Sequence, residues 1–503
     1  MAVQDQAAAP GHAPSRAIID IGSNTVRLVI YGGPRRAPTV LHNEKSTIRL
    51  GKGVVESGTL SRKAADLAVA TLARYEVLLR LRGVGDVQCV ATAAVRDARN
   101  GAEFLDRVTA LGLRPRLLTG TEEARAGAMG VIGAFPGAEG VVADLGGGSL
   151  ELIDIVGDDC SHPVSLPLGT LRLPTLRATG ERAFAKAIKS MVGTSGWTAP
   201  PGATLYLVGG SFRALARVAL QQVSWPSDDP HGFELTAAEA TATARRTLRI
   251  TAPALASVPG ISASRAGSLP DAAALLLSLI KITGASRIVF SSWGLREGLL
   301  YGALRPEERS QDPLVEGMAV HAARHGITRD MAVQVADWTA PALGPTAAGA
   351  DEGLRLGATL LCLSLSTLEP NLRADSAAIW SLRKRWIGIS NRQRAMLAAC
   401  LLANAARPEL PRGLLPLARE SDLRAAISWG LAIRLCRRFS GTAGAALAAS
   451  SLAIADGTLV LGVDAANAPL VNEATQRDLK ALAAALGLAG GVSIRTAEPA
   501  DPA

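Results

Sequence analysis

The segment AIIDIGSNTVRLVIY, residues 17–31, decides the fold together with VVADLGGGSLELIDI, residues 141–155. Each segment is an apolar run ending in an aspartate, then a turn of glycine and small polar residues, then a second apolar run. This order predicts a β-hairpin with a tight turn. Asp20 and Asp144 stand just before the two turns, so the hairpins present the same chemistry twice.

The two turns are candidate phosphate-binding sites. Turns of this kind expose backbone N–H groups, and glycine permits positive φ and a close approach of the backbone to an anion. Two turns that face each other would hold phosphate from both sides. The alternative is a pair of ordinary hairpin turns, but an aspartate before both favours phosphate binding. The predicted phosphate contacts are Gly22, Ser23, Asn24 and Thr25 in the first turn and Gly146, Gly147, Gly148 and Ser149 in the second.

Composition narrows the class of protein and of partner. The chain has 503 residues, of which 48% are hydrophobic and 19% charged, which predicts a globular protein of about three domains. A net charge of +9 suits a polyanionic partner, although an arginine-rich composition alone would explain it equally well. No zinc-finger spacing, basic tail or nucleic-acid module is found, so nucleic acid is disfavoured as a partner.

Cysteine usage and hydropathy give an expected location. Five scattered cysteines predict reduced thiols in a cytoplasmic protein. No apolar run approaches the roughly 18 residues of a membrane span, so no membrane partner is expected. Residues 1–15 lack the pattern of a signal peptide and are predicted to be a disordered tail.

The order of elements predicts two lobes and a further domain. Strands and helices alternate from residue 16 to 305, and the two halves open alike, a weak internal repeat. We assign residues 16–135 to lobe I and 136–305 to lobe II. The stretch RPEERSQDP, residues 305–313, is typical of a linker. Residues 306–503 are predicted to be mainly helical, with short β-like runs near the end.

Five segments in order resemble one known family. They are IIDIGSNTVRLVIY, ATAAVRDARNGAEFL, LLTGTEEARAGAMGV, VADLGGGSLEL and LPLGTLRL. They are similar to the exopolyphosphatase / guanosine pentaphosphate phosphohydrolase family, of the actin-like ATPase superfamily that includes sugar kinases and heat-shock chaperones. The resemblance implies an α/β fold with two ribonuclease-H-like lobes around a cleft. It also implies Mg²⁺-dependent release of terminal orthophosphate from polyphosphate or guanosine pentaphosphate, and a homodimer.

The acidic and basic site residues follow partly from chemistry and partly from the resemblance. Asp20 and Asp144 offer the hard carboxylate oxygens that Mg²⁺ prefers, and the resemblance implies that Glu151 is also a metal ligand. The residues alone do not separate Glu122 from Glu123 as a general base; the resemblance implies Glu123. It also implies that Arg96 binds substrate phosphate, which suits the bidentate guanidinium group.

Several positions stay open at this stage. A basic track, meaning a row of positive charges that could bind a longer anion, is suggested only by the charge of four residues: Lys45, Arg49, Lys52 and Arg99. The glycines at 209–210 match the place where superfamily ATPases close over adenosine, but a packing turn explains them equally well. The longest members of the family carry a domain related to HD phosphohydrolases, whereas this chain has no His-Asp dipeptide. The histidines at 321 and 325 are interpreted as surface helix residues, and the role of 306–503 is open.

Four functions are consistent with these features. The first is an exopolyphosphatase, and the second is a guanosine pentaphosphate phosphohydrolase that uses the same site. The third, an ATP-dependent small-molecule kinase, is disfavoured because the motifs holding Arg96 and Glu123 resemble the phosphatases. The fourth, a non-enzymatic sensor of polyphosphate or alarmone, is disfavoured because the acidic residues are all present.

Overall fold

The first hairpin lies in a five-stranded sheet of strand order β3-β2-β1-β4-β5. In this computed structural model, which describes residues 15–343 and 351–495, the β1 strand pairs antiparallel with β2 and parallel with β4. One face of the hairpin packs on the helices of lobe I and the other packs against Leu300, so its apolar runs are continuous rather than alternating. The elements are β1 (Arg16–Ile21), β2 (Thr25–Gly32), β3 (Thr39–Thr47), α1 (Leu50–Ser57), α2 (Arg62–Leu81), β4 (Asp86–Ala91), α3 (Ala93–Arg96), α4 (Gly101–Thr109), β5 (Pro115–Leu117) and α5 (Gly120–Ala134).

The second hairpin lies in a six-stranded sheet of order β10-β11-β9-β6-β7-β8. Its two strands pair antiparallel, and Asp144 stands opposite Glu151. The elements are β6 (Glu139–Leu145), β7 (Leu150–Val156), β8 (Asp159–Leu166), α6 (Leu173–Arg177), α7 (Glu181–Thr194), β9 (Thr204–Val208), α8 (Gly210–Gln222), β10 (Glu234–Thr236), α9 (Ala237–Thr247), α10 (Ala252–Ala256), α11 (Ala263–Ala266), α12 (Leu269–Thr283), β11 (Arg287–Phe290), α13 (Leu295–Gly302) and α14 (Pro306–Arg309).

Two helices, α5 and α13, lie between the sheets. The α5 helix, which the sequence analysis placed in lobe I, packs on the second sheet through Ala128, Val131 and Ile132. The two helices approach so closely that a Cβ at Gly298 would collide with the carbonyl oxygen of Ala126. Backbone contact of this kind requires glycine. It fixes the start of α5, which carries Glu123, relative to α13.

The remaining residues form a second unit that we describe by itself. It comprises Pro226–Asp229 and Asp312–Ala503. Its described part is mainly helical and ends in a three-stranded sheet of order β12-β13-β14, as the β-like runs indicated. The elements are α15 (Pro313–Ala323), α16 (Arg329–Leu343), α17 (Glu352–Ser366), α18 (Arg373–Ala378), α19 (Asn391–Asn404), α20 (Glu420–Ser440), α21 (Gly444–Ala448), β12 (Ser450–Ala455), β13 (Thr458–Asp464), α22 (Glu473–Ala485) and β14 (Ala489–Arg495).

The predicted fold class is confirmed: two α/β lobes and a mainly helical C-terminal region. The predicted linker contains the short helix α14, and Asp312 then caps α15 by accepting from Leu314 N at 2.8 Å. All five cysteines lie in the described residues and are free thiols. No described helix is both long and apolar enough to span a bilayer. The predicted disordered tail lies outside the described residues, apart from Ser15.

Candidate active site

The two glycine turns lie against each other. A Cβ built on Gly147 would lie 2.9 Å from Ser23 Cβ, and one built on Gly148 would lie 2.7 Å from Ser23 Oγ. Although glycine permits positive φ, neither Gly22 nor any of residues 146–148 adopts it. Glycine is required here by space rather than by torsion, since a side chain would separate the turns.

The turns are built alike, and they leave amides unused. Gly22 N donates to Thr25 O at 3.0 Å, and Gly146 N donates to Ser149 O at 3.0 Å, so these two amides close their own turns. Among the described residues, no protein acceptor receives the amides of Ser23, Asn24, Gly147 or Gly148. Asn24 is exposed, whereas Ser23 and Ser149 are buried. The free amides are therefore the donors that this arrangement offers to an anion.

The structure separates the two glutamates at the start of α5. Glu122 forms the capping box: its Oε2 accepts from Thr119 N at 2.8 Å, and it is exposed to solvent. The Glu123 side chain is only 13% exposed and accepts from Arg96 Nη1 at 3.0 Å. Arg96 Nη1 also donates to Leu118 O at 3.0 Å, which holds the guanidinium in place. Only Glu123 faces the other acidic groups.

Four carboxylates share this site and repel one another. Burial raises the pKa of Glu123 to about 7, and the charges of Asp144 and Asp20 add to the effect against the attraction of Arg96. Burial likewise raises the pKa of Asp144 to about 6. Burial first, and then Glu123 and Asp144, raise the pKa of Glu151 well above its ordinary value. Since like charges this close disfavour ionisation, the cluster has affinity for protons or for a cation.

Two arginines from lobe II partly neutralise the negative charge of the four carboxylates. Arg296 Nη1 lies 3.8 Å from Asp20 Oδ2. Although burial lowers it, Glu297 and Asp20 hold the pKa of Arg296 above its usual range. Burial first, and then the charge of Arg296, lower the pKa of Arg213 to about 10. Arg213 feels the charge of Asp144, so cations and carboxylates meet in one place.

This arrangement of turns, carboxylates and arginines occurs in a chain that matches a known family model. The model is described as the Ppx/GppA phosphatase family and matches residues 29–307. The chain belongs to the Ppx/GppA phosphatase family. The match begins within β2, runs through the rest of both α/β lobes and ends before α15 begins.

Relatives and solved structures support this membership. The chain is 28% identical over 328 residues to Exopolyphosphatase 1 of Mycobacterium bovis, which covers 61% of this chain and 92% of that protein. A solved member of the Ppx/GppA family from Aquifex aeolicus is 26% identical with a TM-score of 0.50, covering 57% of this chain and 97% of that one. An exopolyphosphatase structure from Cytophaga hutchinsonii is 25% identical with a TM-score of 0.50, covering 57% and 96%.

The Ppx/GppA membership establishes the fold and the class of reaction. The two lobes have the actin-like fold, and the protein is a phosphoanhydride hydrolase. The conclusion rests on the match over both lobes. Family membership does not assign roles to individual side chains, and these roles depend on the geometry of the site.

The residues of this Ppx/GppA site fit a partly hydrated Mg²⁺. Among the described residues, no group of three or more His, Cys, Asp or Glu side chains is arranged to hold a metal ion by itself. Mg²⁺ commonly uses one or two carboxylates and takes its other ligands from water and substrate phosphate. The mutual repulsion of Asp20, Asp144 and Glu151 would be relieved by such a cation. One or two of these three carboxylates, together with water and substrate phosphate, would hold it.

The sequence analysis missed three residues of this site. Ser165 Oγ donates to Glu151 Oε1 at 2.8 Å, and Arg213 and Arg296 supply positive charge. Both arginines lie in the first turn of a helix, α8 and α13 respectively. A cation is unfavourable at a helix N-terminus because of the helix dipole. Arginine in that position was therefore the available signal that an anion lies nearby.

Other predicted residues lie elsewhere or are otherwise engaged. Lys52 pairs with Glu56 at 3.8 Å, and Arg99 donates to Ser57 O at 2.8 Å. Of the suggested basic track, Lys45 is the residue whose pKa is lowered, first by burial and then by Arg265, Arg27 and Arg213.

The glycine turn at 209–210 and the histidine pair each have a structural explanation. A Cβ on Gly209 would collide with the carbonyl oxygen of Leu145, which favours the packing explanation for that turn. His321 packs edge-on against Trp380 at 4.6 Å and is half-buried rather than on the surface. Burial first, and then the charge of Lys384, lower its pKa to about 4.

The buried carboxylates predict an unusual pH dependence of stability. Glu123 holds its proton up to about pH 7 in the folded state, against an ordinary value of 4.5. The folded state then binds more protons than the unfolded state, so this contribution is complete below about pH 4.5 and is lost as pH rises towards 7. We expect the melting temperature in EDTA to fall more steeply with pH over that interval in the wild type than in Glu123→Gln. Equal slopes in the two proteins would contradict the raised pKa.

Proposed function

We propose that this protein is a Mg²⁺-dependent exopolyphosphatase that releases terminal orthophosphate from inorganic polyphosphate. The observation that carries the proposal is the set of cations gathered from both lobes around the carboxylates. Arg27 and Lys45 come from the first sheet, and Arg213, Arg265 and Arg296 come from lobe II. Burial first, and then the charges of neighbouring cations, lower the pKa of Arg27 and of Lys45. A substrate with one negative charge per phosphate would balance them.

The proposed roles of the side chains follow from where the turns and Glu123 lie. The free amides of the two turns bind the terminal phosphate, and Arg96 orients Glu123 through its 3.0 Å hydrogen bond. Glu123, with a pKa of about 7, accepts a proton from the attacking water near neutral pH. Phosphoryl transfer depends mainly on positioning and on charge stabilisation.

Mg²⁺, when bound by Asp20, Asp144 and Glu151, would neutralise charge on the phosphate oxygens. The other roles belong to residues of the chain: the turns bind the phosphate, and the positive charges of the arginines neutralise the negative charge of the substrate. We further infer a homodimer in the cytoplasm, as the family resemblance and the free thiols suggest.

Guanosine pentaphosphate is the second candidate substrate. The names of the curated relatives favour polyphosphate, since Exopolyphosphatase 1 of Mycobacterium tuberculosis matches over 92% of its length. The family description includes both activities. The packing explanation for the Gly209 turn removes one reason to expect a nucleotide handle.

A substrate comparison tests the proposal. Phosphate release is measured from long-chain polyphosphate, guanosine pentaphosphate and ATP at the same Mg²⁺ concentration. We expect kcat/KM to fall in that order, with polyphosphate at least about tenfold above guanosine pentaphosphate, a difference of about 1.4 kcal/mol. Excess EDTA is expected to abolish release from every substrate. Preference for guanosine pentaphosphate would select the second candidate, and full activity in EDTA would refute the metal assignment.

A further inference from the structure

A cavity of about 950 Å³ lies within lobe II, among α6, α7, α9 and α12. None of its lining residues belongs to the candidate active site. The volume is within the range of pockets that bind small organic ligands. The cavity is therefore a second place where this protein can hold a molecule.

The lining has an apolar part and a charged part, in which three cations outnumber the carboxylates of Glu181 and Asp271. Phe184, Leu248 and Leu277 provide the apolar wall. Arg177 is already paired, since its Nε lies 2.6 Å from Asp271 Oδ1. No described residue forms a hydrogen bond or ion pair with Arg245 or Lys281, which also line the cavity. Arg245 and Lys281 are exposed at the cavity and outnumber the carboxylate of Glu181, so an apolar wall beside them matches a ligand that is apolar at one end and anionic at the other.

The cavity connects directly to the glycine turn of the active site. The α6 helix, which lines the cavity, follows the segment 166–172. Within this segment Thr170 N donates to Gly146 O at 3.0 Å, and Leu171 N donates to Gly147 O at 3.0 Å. Arg172 Nη2 lies 3.1 Å from Asp97 Oδ2, next to Arg96. A shift of α6 would thus reach the second glycine turn and the segment that carries Arg96.

We propose that this cavity is a regulatory site for an amphipathic organic anion. The apolar body of the ligand lies against Phe184, Leu248 and Leu277, and its anionic group pairs with Arg245. The bound ligand holds α6 in one position and so changes the rate of phosphate release.

The fluorescent probe 8-anilinonaphthalene-1-sulfonate tests the proposal, since it is itself an aromatic anion. Its fluorescence is titrated against the wild type, Arg245→Glu and the matched control Arg246→Glu. Both arginines lie in the last turn of α9, so replacing either one with glutamate has a similar effect on the interaction with the helix dipole. Arg246 does not line the cavity. We expect one saturable site in the wild type and in Arg246→Glu. The dissociation constant should rise about tenfold in Arg245→Glu, as for loss of a charged hydrogen bond.

A second variant and a rate measurement complete the test. Ala274→Phe, on α12, fills the cavity and should abolish saturable binding, with its melting temperature as the check on folding. Saturating probe should change kcat/KM in the wild type but not in Arg245→Glu at the same concentration. Equal probe affinity in Arg245→Glu and Arg246→Glu would overturn the binding site. Binding without any change in rate would overturn the regulatory role, and neither result depends on which phosphoanhydride is the substrate.

Discussion

Glu123→Gln is expected to lower the rate of phosphate release by about a thousandfold, within the range for loss of a general base. Glutamine keeps the shape of the side chain, and its carbonyl oxygen can still accept the hydrogen bond from Arg96. It cannot take a proton from water. Substrate binding should therefore change little, and titration calorimetry with polyphosphate on the inactive variant measures this directly.

The neighbouring glutamate provides a matched control. Glu122 is exposed and engaged in the capping box, where glutamine serves equally well. Glu122→Gln should retain activity within about twofold of the wild type, because surface changes that keep a local interaction have small effects. If Glu122→Gln were the inactive variant and Glu123→Gln the active one, the assignment of the base would be reversed. Activity in both would remove the base from this helix.

Gly169→Ala has the second largest expected effect. A Cβ at Gly169 would collide with the backbone of the second glycine turn, at the carbonyl carbon of Gly148 and the amide of Ser149. Backbone cannot move aside as the end of a flexible side chain can, so the turn must shift. A displacement of about 1 Å in a positioning element lowers rates by about a hundredfold. We expect that loss in kcat/KM for polyphosphate.

The control for this variant is Gly193→Ala on α7. Nothing lies within 4 Å of a Cβ at Gly193, and its φ is not positive. Alanine there should leave activity unchanged and stabilise the helix by up to about 1 kcal/mol. If Gly169→Ala had wild-type kinetics and stability, the close contact between this segment and the turn would be wrong.

The sequence predicts most of the strands that form the two lobes, because their apolar runs are long and bounded by turns. It misses β3, whose residues are largely half-buried or exposed and give no hydrophobic run. Asn100 is the N-cap residue of α4, but its side chain does not cap the helix and binds Leu60 instead, accepting from the amide at 2.8 Å and donating to the carbonyl at 3.0 Å. Such long-range partners cannot be read from a single segment.

The sequence predicts the carboxylates and the turns of the site, but it does not predict Arg213 and Arg296. Asp20 and Asp144 stand in the same local sequence pattern, so that pattern predicts both residues. The choice between Glu122 and Glu123 needs the fold, since it depends on which side chain faces Arg96. Arg213 and Arg296 act on Asp144 only because the fold brings the first turns of α8 and α13 to that carboxylate.

The packing of α5 on the second sheet has a consequence for the proton on Glu123. Glu123 is held with lobe II, while its partner Arg96 follows β4 of the first sheet. Any opening of the lobes lengthens the contact between these two side chains and removes the charge that favours ionisation. An open arrangement of the lobes would therefore leave Glu123 without the hydrogen bond from Arg96 that orients it. Glu123 is held in place to accept a proton only while the start of α5 and the segment after β4 lie together.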